Sequence, residues 1–68
     1  MNANEISVGQ KVHYVPQVGE PENGIVKSFN ARVAWVVYKC DNQWHRYQDF
    51  TGASTALEDL RPDWNEAA

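Results

Sequence analysis

The sequence lacks most of what would commit it to a familiar chemistry. It has one cysteine, Cys40, in 68 residues, so it cannot form an internal disulfide or supply the even cysteine set of a small stapled secreted domain. No apolar run approaches the ~20 residues of a membrane-spanning helix, and no membrane segment is expected. The opening Met-Asn-Ala-Asn-Glu has neither the basic nor the apolar region of a secretory signal. Together these absences point to a reducing, cytoplasmic setting. Basic residues are also scarce. Six Lys and Arg stand against nine Asp and Glu, for a net charge of −3, a balance that repels a phosphate backbone at long range. Four of the six, Lys27, Arg32, Lys39 and Arg46, nevertheless fall in the central stretch, where a local basic face can form.

Catalytic and metal-binding groupings are equally thin. Cys40, Asp41 and His45 lie within six residues, and His13 is the other histidine. A structural zinc site uses four ligands, usually with a repeated Cys or His pair at short spacing. That pair is missing, so no metal or other cofactor is expected. Cys40 with His45 as its base would still need an oxyanion site and a concave pocket of about 300 Å³ or more, which a chain this short does not easily build. Ser54 and Thr55 sit in no nucleophile-elbow pattern. The expectation is a domain that is not an enzyme.

Aromatic residues, by contrast, are plentiful: Trp35, Trp44, Trp64, Tyr14, Tyr38, Tyr47, Phe29 and Phe50. Each ring can bury about 150–250 Å², and a chain of this length has room for a single core. Lys11-Val12-His13-Tyr14-Val15 alternates polar and apolar side chains at period two, as a half-buried strand does. Residues 16–24 have loop chemistry, and Asn23-Gly24 predicts a tight turn with positive φ that closes a long first loop. Ile25 to Phe29 reads as the second strand, Asn30-Ala31 as a hairpin turn, and Val33 to Lys39 as a third strand that is apolar on both faces, as at a sheet centre. Cys40 to Gln43 breaks the pattern. Trp44, Tyr47 and Phe50 then recur at a spacing of three, which suits a helical turn or an irregular loop better than a flat strand. Thr51 to Ala56 reads as a fourth strand, Leu57 to Leu60 as one helical turn stopped by Pro62, and Asp63-Trp64 as a short closing strand. Residues 1–8 and 65–68 read as flexible tails around a domain spanning 9–64. The fold class is therefore all-β: a small, partly open barrel of four or five strands with one short helical turn near the C-terminus.

This order resembles the SH3-like small barrels of the Tudor and KOW type, in which a Gly-x-x-Val opening, here Gly9 and Val12, leads into a two-strand centre. A closer likeness runs through Glu22-Asn23-Gly24-Ile25-Val26-Lys27-Ser28, then Val36-Val37-Tyr38, Trp44, Tyr47, Thr51-Gly52 and Asp59-Leu60. In that string the chain is similar to short uncharacterised reading frames of phages and prophage regions. The first resemblance implies a binding or scaffolding module, and the second brings no activity with it.

The candidate site is the group Tyr38, Trp44, Tyr47 and Phe50 with the interleaved His45 and Arg46. Aromatic rings present contact area at low entropic cost, so this group is expected to dock a protein or peptide partner. Lys39, His45 and Arg46 would add charge-assisted contacts to an acidic one. The small core competes for the same rings, and at least two of the four are expected inside. The alternative is a nucleic-acid-binding barrel, disfavoured by net charge, with bases stacked on Trp44, Tyr47 or Phe50 and phosphates held by Lys27, Arg32, Lys39 and Arg46. Trp35 is expected in the core and Trp64 over an open barrel edge. Glu58, Asp59, Asp63 and Glu66 are expected on a solvated face, with Arg61 paired to Asp59. The chain is expected to be a monomer, or a weak homodimer formed by edge pairing, against which the Val33 to Lys39 strand would have no protection if it were exposed.

Overall fold

The computed structural model describes residues 1–38 and 42–66. Five strands form: β1 (Lys11–Tyr14), β2 (Glu22–Phe29), β3 (Val33–Val37), β4 (Ala53–Ala56) and β5 (Leu60–Pro62). They pair antiparallel in one sheet of order β4-β3-β2-β1-β5. Three 3₁₀ segments accompany them, at Ala3–Glu5, Trp44–Asp49 and Leu57–Asp59, the second kinked at Arg46. The protein is thus a small all-β domain. Among the described residues no helix is long and apolar enough to cross a membrane.

The sheet has to curl. Four strand spacings of about 4.8 Å would put the edges of a flat sheet ~19 Å apart. The edge strands β4 and β5 are separated only by the turn Leu57–Asp59, and four Cα steps span at most ~15 Å. The result is a partly open barrel around Ile6, Val12, Val26, Ala34, Val36, Leu57 and Leu60.

β2 serves both halves of this barrel. Its first residues pair with β1, from Tyr14↔Glu22 to Lys11↔Ile25, and its last with β3, from Ile25↔Val37 to Phe29↔Ala34. Val26 lies opposite Val36 and Ser28 opposite Trp35, so Lys27 is an extra residue. A bulge of this kind bends a strand and strengthens its twist. In the β2–β3 hairpin the Asn30 side-chain oxygen accepts from the N–H groups of Arg32 and Val33.

Several expectations are corrected here. Asn23 and Gly24 do not form a turn but lie within β2, and Gly24 is not among the residues with positive φ. The glycine serves close approach instead: a Cβ there would stand 2.5 Å from Val36 Cγ1 and 2.9 Å from the Val37 carbonyl oxygen. The closing strand is Leu60–Pro62, with Pro62 opposite Val12; a proline is tolerated there because β5 is an edge. Trp35 is half-buried and outside the core cluster, because Ala34 and Val36 take the inward positions and side chains alternate along a strand. Arg61 does not pair with Asp59; its guanidinium donates to the carbonyls of Glu58 and Leu60. β3 is flanked by β2 and β4, so Val33–Val37 is not an edge of the sheet.

The segments read as tails also make contacts. Ile6 is 5% exposed within the core cluster, and the Met1 ammonium donates to the carbonyls of Leu57 and Leu60. At the other end Asn23 and Asn65 bond reciprocally, at 3.0 and 2.7 Å. Lys39, Cys40 and Asp41, like residues 67 and 68, lie outside the described residues.

Gly24→Ala is expected to destabilise the fold by about 1–3 kcal/mol, since either β3 or the β2 bend must give way. A urea midpoint unchanged from wild type would contradict this packing.

Candidate aromatic and acidic groove

Tyr38, Trp44 and Trp64 line a groove of about 520 Å³ together with Glu20, Pro21 and Glu22. Three different parts of the chain deliver the rings. Tyr38 directly follows β3, and Trp44 opens the turn Trp44–Asp49, which packs against β2. Trp64 is returned to the sheet by Asp63, whose φ of 63° is left-handed and whose N–H donates to the Lys11 carbonyl at 2.9 Å. Aspartate is among the few non-glycine residues that accept that conformation readily.

Trp64 is the best-anchored of the three. Its indole N–H donates to the Gly24 carbonyl at 2.9 Å, and its ring lies 4.9 Å from that of Trp44 at 55°. The Lys11 ammonium sits 4.7 Å from the ring centroid, within the range of a cation–π contact. Trp64 thus lies over β2 at Gly24, not over an edge strand, and it joins the site as well.

A second groove, of about 380 Å³, continues from the first and shares Glu22 and Tyr38 with it. Tyr14, Asp59 and strand β4 complete its walls. The Tyr14 and Tyr38 rings are 6.2 Å apart, and the Tyr38 hydroxyl meets Thr55 Oγ1 at 2.8 Å. Burial pushes the Tyr38 phenol above its ordinary pKa; the Thr55 hydrogen bond opposes that shift, and Glu22, Tyr14 and Asp59 add to it.

The six residues singled out from the sequence do not all line the groove. Tyr38 and Trp44 line the groove. Tyr47 turns elsewhere: a Cβ on Gly9 would lie 3.2 Å from its hydroxyl, and Gln48 Nε2 donates to that hydroxyl. Phe50 is half-buried and its carbonyl accepts from Lys27 Nζ at 2.6 Å. His45 and Arg46 are exposed, and Arg46 pairs with Asp49 at 3.0 Å. None of the four rings is fully buried, so the expected pair of core rings is not found; aliphatic side chains fill the interior instead.

Among the described residues the charged groups lining the two grooves are Glu20, Glu22 and Asp59, which runs against the acidic partner expected from the sequence. Of the bases proposed to hold phosphates, Lys27, Arg32 and Arg46 do not line the grooves, and Lys39 lies outside the described residues. Lys27 is tied to Phe50, Arg46 to Asp49, and Arg32 lies beside Met1, Leu57 and Glu58. Glu20-Pro21-Glu22, read in the sequence only as loop, supplies an acidic wall. Among the described residues no three His, Cys, Asp or Glu side chains are grouped to hold a metal ion, and His13 Nδ1 is engaged by the Asp63 carbonyl.

Comparison with protein-family profiles, curated proteins and solved structures finds no match.

Trp64→Ala is expected to cost about 2 kcal/mol, because it removes the bond to Gly24 and both ring contacts, whereas His45→Ala should change stability by less than about 0.5 kcal/mol. Equal urea midpoints for the two variants would refute the anchoring role. Folding favours the neutral Tyr38 phenol, so its contribution is complete below the ordinary tyrosine range and is lost as pH rises through the elevated value. The stability difference between wild type and Tyr38→Phe should therefore move against wild type above about pH 10, as read from melting temperatures of both proteins across that range.

Proposed function

We propose that the protein is a small, non-catalytic binding module of SH3-like type, working in the cytoplasm, that holds a cationic segment of a partner protein across the Tyr38–Trp44–Trp64 groove. The observation that carries this reading is the pairing of three half-buried rings with the carboxylates of Glu20 and Glu22 on one concavity. Aromatic faces and nearby carboxylates both attract ammonium and guanidinium groups. Lys11 over Trp64 is an instance of that chemistry within the chain itself. The same carboxylates oppose a phosphate backbone, and among the described residues the scattered bases supply no continuous track for one. The Tudor- and KOW-like order of strands and turns accords with a recognition domain, as an analogy of fold.

The test is a tryptophan-fluorescence titration with a peptide of about ten residues alternating arginine and valine, set beside its glutamate counterpart and single-stranded DNA. The arginine peptide should bind with a dissociation constant of about 10–100 µM, as a small interface allows, and should weaken about tenfold or more in Glu22→Lys. Preference for the glutamate peptide or for DNA would overturn the reading.

A further inference from the structure

The two edges of the sheet are not alike. β5 carries Arg61 and Pro62, and both residue types are common protections against unwanted strand pairing. β4 is Ala53-Ser54-Thr55-Ala56, with neither charge nor proline. Its register with β3 runs from Val33↔Ala56 to Val36↔Ala53, and the next pair outward is fixed by the Leu57 N–H donating to the Arg32 carbonyl at 3.1 Å. Hydrogen-bonded pairs alternate along an antiparallel ladder. Ala53 and Thr55 therefore bond to β3, while Ser54 and Ala56 turn their N–H and C=O groups outward. Among the described residues, no turn, loop or side-chain bond takes up those groups.

The open edge also borders a built surface. β4 forms one wall of the second groove, whose other walls are Tyr14, Tyr38, Glu22 and Asp59. Four residues of strand extend ~13 Å, long enough for a short extended segment to pair with the backbone while alternate side chains enter the groove.

Resting on the cationic-groove reading above, we propose that the partner segment binds as an added sixth strand along β4. Its main chain pairs with Ser54 and Ala56, and its Lys or Arg side chains face Glu22 and Asp59. This is β-augmentation, in which main-chain bonds supply affinity and alternate side chains supply specificity. Charge selects the occupant. A second copy of this chain, with net charge −3, would bring its own Glu22 and Asp59 to the same seam, whereas a basic segment neutralises them.

The test follows amide hydrogen exchange at Ser54 and Ala56 while the arginine–valine peptide is titrated, with tryptophan fluorescence recorded on the same samples. Added pairing should slow exchange at both positions by about tenfold or more, leaving Ala53 and Thr55, already bonded to β3, little changed. A peptide with the same sequence but N-methylated at alternate residues should lose about tenfold in affinity, because its N–H groups cannot complete the ladder. If the unmodified peptide changes the fluorescence without slowing Ser54 or Ala56, strand addition is wrong and the cationic groove stands. If neither signal responds, both are wrong. Slowed exchange at the two positions in the peptide-free protein at high concentration, with dimers by sedimentation, would overturn the basic occupant in favour of a second copy.

Discussion

Gly24 lies within van der Waals distance of Val36 and of the Val37 carbonyl, at a place where any larger residue would collide with β3. Much of the architecture depends on that close approach. It allows β2 to pair with β1 at one end and β3 at the other, and the extra residue at Lys27 bends the strand within its β3-paired half. With β2 bent, a five-strand sheet brings its edges near enough for three residues to connect them. Val12, Val26, Val36 and Leu60, each fully buried, then form one interior.

The same strand carries the outer site. Its Gly24 carbonyl accepts from the indole N–H of Trp64, and the anchored indole lies against Trp44. The groove is thus built from the strand that closes the core, and its stability and its shape share a cause. Aliphatic residues fill the interior, so Tyr14, Tyr38, Trp44 and Trp64 stay half-buried. Rings held at one side and open at the other are well suited to contact a partner, because little side-chain entropy remains to be lost.

Much of the fold was legible because local patterns report local structure. The alternation around Val12, the β-branched run from Val33 to Val37, the spacing of three from Trp44 and the turn at Leu57 all appear as expected. Asn23-Gly24 misled because glycine serves two purposes, positive φ and close packing, which look identical in sequence. The site was legible only in part. Tyr38 and Trp44 were found through their aromatic character, but Trp64 reaches the groove only through the left-handed turn at Asp63, and Glu20 and Glu22 only through the course of the first loop.

By itself the sequence determined the class: a short all-β chain without disulfides, with strands and turns largely in their places, since periodicity and turn chemistry act over a few residues. Tertiary structure decided which rings share a concavity and which sign of charge borders it. It also decided which edge of the sheet is left open. Those properties depend on contacts between residues far apart in the chain, such as Trp64 with Gly24 and Tyr38 with Thr55, and no local pattern encodes which distant residues will meet.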